Sequence, residues 1–302
     1  MFKRQKVYFL FNFLLLQSFC FMHLFAQQSE FERWATLVNW DGVSTPESYI
    51  ITSSGFLGPG ALPVPYLRDG KISNKIIFEN AVEYYQQPGE KTANTYHQLT
   101  LPFASGKIAL TSYWRPLEYF EMNQNTLDER KILPQKGKGY AGGDLYFGTI
   151  VQLLQEKNNW LPDANLGVTF KTTTGKGLEN ARHINAPGYI FDVAADKTIY
   201  KNEKGFKIKA GTLLGFYAWQ QKLNVQNDAF LFGIKSSVYY KSSLLIFSYS
   251  GYNGWINNGD KPKIIRAEIL QNFRQTDFYF LYQYGIQDMI KNGYRLGAKV
   301  SF

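Results

Sequence analysis

The amino-acid sequence predicts an all-β fold, a transmembrane antiparallel up-and-down β-barrel of about twelve strands with an N-terminal signal peptide. The first observation is an aromatic content of 17% in a chain of 302 residues whose mean hydropathy is nevertheless negative. The second is that no apolar run after residue 26 is long enough for a transmembrane helix. Both facts agree in a barrel, where lipid-facing and lumen-facing residues alternate along each strand and aromatic girdles mark the membrane interfaces.

Residues 1–26 are typical of a secretory signal peptide, with three cations before an apolar run that ends near Ala26. A retained anchor helix is the alternative, and polar residues inside the run weaken it. The only cysteine, Cys20, would leave with the signal, so we expect a mature chain without disulfides or thiolate metal sites. Loss of three of the 33 basic residues leaves 30 against 24 acidic ones, and no basic cluster with interleaved aromatics indicates nucleic acid as a partner.

Residues 27–72 form a separate N-terminal segment that does not show the alternation of strands. Within it, residues 54–70 contain three prolines and four glycines in seventeen positions. Proline cannot donate a hydrogen bond to a β-ladder, so this stretch is not a barrel strand. It predicts either a plug in the lumen or a rigid periplasmic entry segment, and a partly ordered periplasmic leader before the barrel is an equal alternative.

Residues 73–302 form the predicted barrel, in which twelve segments have period-two character. Their connections alternate between long and short, and the longest are 121–140 and 173–187. Short periplasmic turns and long extracellular loops are typical of outer-membrane barrels. The predicted segments are 75–85, 95–103, 107–119, 143–155, 164–173, 188–198, 205–220, 229–240, 243–250, 263–272, 276–287 and 293–302.

The last ten residues combine a strand pattern with an aromatic end. Apolar residues occupy every second position, and cations, glycine and serine lie between them. We expect this segment to seal against the first strand and to act as the signal that barrel-assembly machinery reads. The residues of this assembly signal are Tyr294, Leu296, Ala298, Val300 and Phe302.

The register of the strands points fourteen charged side chains into the lumen, seven of each sign. A selective ion pore would line its wall with one sign, so this balance favours a neutral-solute pathway or internal ion pairs. Because the first strand must close against the last, we expect its two glutamates to pair across the seam. The predicted lumen residues are Glu79, Glu83, Asp144, Lys171, Asp192, Asp196, Lys207, Lys209, Lys235, Arg266, Glu268, Asp277, Arg295 and Lys299.

The hairpin 143–175 opens with Gly143, Asp144 and Leu145, and its first strand ends with Leu153, Leu154 and Glu156. With these motifs it resembles the outer-membrane family named for the meta-pathway of phenol degradation. The family has a Gly-Asp-Leu opening, a later glycine, a Leu-Leu-x-Glu strand end, a proline turn and a Lys-x-x-x-Gly exit. This chain departs from the family at the exit, where Thr173 and Thr174 precede the glycine without a proline. The resemblance implies a porin-like channel for small aromatic or apolar compounds. The matching residues are Gly143, Asp144, Leu145, Gly148, Leu153, Leu154, Glu156, Pro162, Lys171 and Gly175.

These observations predict a porin-like channel in the outer membrane of a Gram-negative bacterium, for passive or facilitated passage of a small solute. The expected partners are outer-membrane lipid, lipopolysaccharide, the assembly machinery and an unknown solute. One alternative is a closed interaction barrel that presents loops 121–140 and 173–187 to a surface partner.

A barrel-embedded lipid hydrolase is a further alternative, since His183 lies in a predicted extracellular loop. The serine such enzymes place two residues later is Asn185 here, and His97 is better placed in an aromatic girdle. We therefore expect no enzyme activity, no cofactor and no metal site.

Overall fold

The computed structural model describes residues 30–133, 137–157, 160–221 and 225–302, so the predicted signal peptide lies outside the described residues. Fourteen antiparallel strands form one sheet. They are β1 (Ile77–Gln87), β2 (Glu90–Phe103), β3 (Ile108–Trp114), β4 (Glu118–Met122), β5 (Lys138–Ala141), β6 (Tyr146–Leu154), β7 (Asp163–Lys171), β8 (Gly188–Lys201), β9 (Phe206–Gln220), β10 (Gln226–Tyr240), β11 (Ser243–Asn253), β12 (Lys263–Phe273), β13 (Thr276–Gln287) and β14 (Asn292–Ser301).

Twelve of these strands close into a barrel, as the sequence predicts. Strand β1 pairs with β2 on one side and with β14 on the other, and the seam runs from Ile77 opposite Ser301 to Gln86 opposite Asn292. Every other barrel strand also has two neighbours, with β3 pairing directly with β6. The ladder therefore has no open edge within the barrel.

One extra strand, β4, begins inside the predicted third strand, and the other, β5, lies at the end of the predicted loop 121–140. Strand β3 ends at Trp114 and β4 starts at Glu118, because Pro116 between them has no N–H for the ladder. The long strand β2 pairs with β3 through its second half and with β4 through its first. Helix α2 (Gln124–Glu129) follows β4, capped by the Asn123 side chain. Much of the predicted loop 121–140 is thus a folded hairpin.

The barrel has two different ends. Five short connections define the turn end, where β1 begins and β14 ends. They are 104–107, the link between β6 and β7, 202–205, 241–242 and 274–275. The three longest connections, 115–145, 172–187 and 254–262, lie at the opposite end, together with the short turns 88–89 and 288–291. This loop end also carries helix α1 (30–38) and the 3₁₀ turns Pro46–Tyr49 and Leu178–Asn180. The Trp34 indole of α1 donates to Lys131 O across 3.0 Å. Neither helix of the described chain has the length and hydrophobicity to cross a membrane.

Side chains alternate between an apolar exterior and a more polar interior. On β9, Leu214 and Phe216 are exposed, whereas Leu213 and Tyr217 are buried. On β14, the outward Tyr294 and Leu296 are exposed, whereas Arg295 between them is buried. This apolar outer surface is what a lipid-facing barrel wall requires. The role of the last strand in assembly stays a prediction.

Candidate functional site

The candidate site is the lumen, and a segment of the same chain runs through it. We call residues 53–72 the plug. At the loop end, Gly55 N donates to Gly259 O and Gly58 N donates to Ala181 O, both across 2.9 Å. At the turn end, the plug leaves the lumen just before β1.

Side chains of the barrel wall hold the plug by its backbone carbonyls. Three prolines and an extended course keep these carbonyls out of any ladder, so they need side-chain donors when buried. Leu57 and Leu62 of the plug are fully buried among apolar wall residues. The donor and acceptor pairs are Lys291 Nζ to Leu57 O (2.8 Å), Tyr146 Oη to Ala61 O (3.1 Å), Tyr252 Oη to Leu62 O (2.8 Å), Arg266 Nη2 to Val64 O (2.6 Å) and Arg266 Nη1 to Pro65 O (3.1 Å).

Two charged plug residues bind opposite charges of the wall. Arg68 forms an ion pair with Asp192, and its Nε donates to Asn165 Oδ1 across 2.6 Å. Asp69 forms an ion pair with Lys235. The plug therefore places one charge of each sign against the wall, and neither buried wall charge is left uncompensated.

The plug leaves the lumen through a passage that only glycine fits. Gly70 N donates to Asp196 Oδ2 across 2.8 Å. A Cβ at Gly70 would lie 2.3 Å from Asp163 O and 2.8 Å from Asp196 N. Both are backbone atoms of paired strands, so they cannot move aside without breaking the ladder.

The seam between β1 and β14 carries a buried ion-pair group. Arg295 Nε donates to Glu83 Oε1 (2.9 Å), and Arg115 Nε donates to Glu83 Oε2 (2.7 Å). Arg295 also lies 3.4 Å from Glu79. The expected pairing of both glutamates across the seam is therefore observed through Arg295. Lys299 lies opposite Glu79 in register but forms its ion pair with Glu268 of β12 instead.

A second buried group, which we call the loop-end charge cluster, consists of Glu90, Glu118, Arg130, Arg182 and Lys291. Glu90 forms ion pairs with Arg130 and Arg182 and lies 3.4 Å from Lys291. Arg182 Nε donates to Glu118 Oε1 across 2.6 Å. The cluster has three cations and two acids. Burial lowers the pKa of Lys291 to about 8, although the nearby Glu90 acts in the opposite direction.

The fourteen predicted lumen residues lie on inward positions, and most are already paired. Among themselves they form the pairs Glu79–Arg295, Glu83–Arg295, Asp144–Lys171, Asp196–Lys209 and Glu268–Lys299. The others bind the plug or neutral groups: Asp192 to Arg68, Lys235 to Asp69, Arg266 to plug carbonyls and Gln283, Lys207 to the Tyr239 ring and Asp277 to Asn272. That they line a path for solute stays a prediction.

Sequence reasoning missed the loop-end charge cluster and the charged pair of the plug. The cluster residues come from loops, from the extra hairpin and from a strand end. In such places period-two alternation does not show which way a side chain points. An Arg-Asp pair next to a Pro/Gly-rich stretch was the only signal for Arg68 and Asp69.

The predicted loop 173–187 lies at the loop end, and its centre is folded inward rather than exposed. Ala181, Arg182, His183 and Ile184 are at most 3% exposed. The loop folds into the barrel mouth because Arg182 binds two buried carboxylates there. His183, the residue on which the lipid-hydrolase alternative depends, has a fully buried ring that lies 3.7 Å from Glu118. His97 lies on β2, with Nδ1 2.6 Å from Asn80 Oδ1.

Within the described ranges, no group of three or more His, Cys, Asp and Glu residues is arranged to hold a metal ion.

The chain matches no protein-family model and no curated protein. The resemblance of 143–175 to the phenol meta-pathway family therefore stays a prediction. Among solved structures, the barrel is similar to the NanC porin, with 10% identity over 74% of this chain and 100% of that chain and a TM-score of 0.46. It is also similar to the beta domain of the Bordetella autotransporter BrkA, with 10% identity over 76% of this chain and 99% of that chain and a TM-score of 0.45. A third similar structure is the CymD monoaromatic hydrocarbon channel, with 9% identity over 76% of this chain and 89% of that chain and a TM-score of 0.37. At these low scores, the fold assignment depends on the strand pairing itself.

Proposed function

We propose that this protein is a porin-like barrel of the outer membrane whose lumen is closed by its own plug, and that a small solute passes when the plug is displaced. The observation that carries this proposal is the plug itself, which fills the lumen without taking part in the strand ladder. The barrel closes through β1 and β14 without any plug residue. Displacement of the plug would therefore leave the wall intact.

The wall beneath the plug supports an aqueous path rather than a permanently filled core. Arg266, Lys235 and Asp192 are buried and polar, and each has plug atoms as partners. Once the plug moved, these groups would face the lumen with both signs of charge. Such a lining favours no strong ion selectivity. The resemblance at 143–175 suggests a small aromatic or apolar cargo.

The two ends of the barrel give the orientation. Short turns face the periplasm and longer loops face outward in outer-membrane barrels. We therefore place the turn end in the periplasm and the loop end at the cell surface.

A reversible disulfide between plug and wall tests the proposal. An ideal Cβ at Gly233 would lie 2.7 to 3.1 Å from the side-chain carbons of Leu67, which brings two cysteines there within bonding reach. The single cysteine of the chain is Cys20, in the predicted signal, so the variant Leu67→Cys/Gly233→Cys would contain only the engineered pair. Single-cysteine variants are the matched controls.

Planar-bilayer recording is the measurement. We expect conductance events from the wild type and from the reduced double variant, and none from the oxidised double variant. The single variants should conduct with and without oxidant. Equal conductance in the locked and released forms would contradict passage through a displaced plug.

A closed interaction barrel is the second candidate, because apolar packing and buried ion pairs surround the plug. Leu57, Leu62 and Val64 lie in one apolar cluster with wall residues, directly below the loop-end charge cluster. In that case the folded hairpin at 118–141, rather than 173–187, is the surface to present to a partner. Absence of conductance in the wild type and in both redox states of the double variant would favour this candidate.

A further inference from the structure

The exposed charges of the barrel are distributed unequally between its two ends. Each of the five short connections of the turn end, counted with its flanking strand ends, carries at least one exposed cation. These cations are Lys107, Lys157, Lys201, Lys204, Lys241 and Arg274. Lys71 and Lys75 add two more in the segment that leads into β1.

Acidic side chains at the turn end do not balance these cations. Among the described residues of this end, Glu203 is exposed on a turn, and Asp69 is exposed at the lumen mouth but forms an ion pair with Lys235. Glu156 and Asp277 are half-buried and accept hydrogen bonds from Thr198 and Asn272, respectively. The turn end therefore has a large excess of exposed positive charge.

The loop end has the opposite balance. Its exposed acids in the described part of the chain are Glu30, Glu32, Asp41, Glu121, Glu129 and Glu179, against four exposed cations. The excess of cations is thus a property of one end of the barrel and not of the whole surface.

Exposed aromatic residues lie beside the turn-end cations. They occupy strand ends on the outer surface, where the hydrocarbon of a bilayer gives way to headgroups. The rings are Phe103, Tyr200, Tyr240, Phe273 and Phe278, each about half exposed. Lys201, Lys241 and Arg274 directly follow three of these rings in the sequence. A cation next to an interfacial ring is placed to reach lipid headgroups.

We propose that the turn-end cations bind the headgroups of anionic phospholipids in the leaflet that surrounds this end. The cations occur on every short connection, all the way around the barrel. A lipid leaflet contacts a barrel on all sides, whereas a single protein partner would need a patch on one side. Attraction of Lys and Arg to anionic lipid acts within about one Debye length of the surface. This interaction requires the barrel to lie in a membrane but not to conduct.

Lipid selectivity of the full mature chain tests the proposal. The protein is reconstituted into phosphatidylcholine vesicles at low salt with a trace of spin-labelled phosphatidylglycerol or of spin-labelled phosphatidylcholine. Electron paramagnetic resonance then gives the motionally restricted fraction of each lipid. We expect a preference of about fivefold for phosphatidylglycerol, which is the gain in affinity expected when one cation acts on each headgroup.

Three variants separate the turn-end cations from total charge. Lys107→Gln/Lys204→Gln/Lys241→Gln removes three of the eight turn-end cations and should reduce the preference to about threefold. The same three positions changed to Arg should retain it. Lys91→Gln/Lys138→Gln/Lys176→Gln removes the same charge at the loop end and should also retain it.

Salt provides a check that needs no variant. The preference of the wild type should largely disappear at about 1 M salt, where the Debye length falls to about 3 Å. A wild type without preference would overturn the proposal, as would an undiminished preference in the turn-end Gln variant. Equal loss in the loop-end variant would overturn it too, because the effect would then follow net charge alone.

Discussion

In the buried ion-pair group at the seam, one substitution should destabilise the wild type but stabilise a variant that lacks Arg295. Glu79, Glu83, Arg115 and Arg295 are each at most 7% exposed, and their formal charges cancel. Arg295→Met leaves two buried acids with the single guanidinium of Arg115. Removal of one partner from a buried ion pair costs about 3 to 5 kcal/mol of stability. We expect the free energy of unfolding to fall by that amount.

Glu79→Gln should then have opposite effects in two backgrounds. In the wild type it leaves an excess cation and weakens the bond from Tyr279, so we expect a loss of about 1 to 3 kcal/mol. In Arg295→Met it removes the uncompensated acid and leaves the neutral pair Glu83–Arg115. We expect it to restore about 2 kcal/mol there. The difference between the two effects is a coupling of about 3 to 5 kcal/mol, the size expected for a buried ion pair.

Guanidinium unfolding in detergent micelles, followed by tryptophan fluorescence, measures all four proteins of this cycle. Constant m values would show that stability alone has changed. A loss below about 1 kcal/mol in Arg295→Met would refute the reasoning. So would an equal destabilisation by Glu79→Gln in both backgrounds, since the charges would then be uncoupled.

Three further predictions concern the plug and the loop end. Burial lowers the pKa of Lys291 from 10.5 to about 8, so the folded state binds fewer protons than the unfolded state between these pH values. The wild type should therefore gain stability relative to Lys291→Met by up to about 1.4 kcal/mol per pH unit from pH 8 to 10.5, as measured by urea titrations. A stability difference that does not change with pH would contradict the lowered pKa. Gly70→Ala should destabilise the plug exit because its Cβ would meet Asp163 O at 2.3 Å, and unchanged thermal unfolding would disprove this. Trp34→Ala should expose residues 30–50 to protease, whereas Arg33→Ala, which removes an exposed ion pair, should change cleavage little.

The sequence predicted the barrel wall because the relevant signal is local. Successive side chains of a strand point to opposite faces, so lipid-facing and lumen-facing residues alternate along the sequence. Segments such as 205–220 and 276–287 therefore agree with β9 and β13 to within one residue. The pattern failed near Pro116, where one missing N–H divides a predicted strand.

The sequence could not decide how the lumen is filled, because that depends on contacts between distant parts of the chain. Arg68 pairs with Asp192, 124 residues away, and Arg182 binds Glu118, 64 residues away. No local period encodes such partners. A Pro/Gly-rich segment looks the same whether it lies in the periplasm or in a barrel.

Period-two alternation in the sequence thus determined an apolar outer wall and a polar inner one. Only the tertiary structure decided that the chain's own N-terminal segment occupies the interior and that residues 181–184 fold into the mouth. The physical reason is that buried charges and carbonyls must find partners, and a closed ring of strands brings together groups that no local pattern relates.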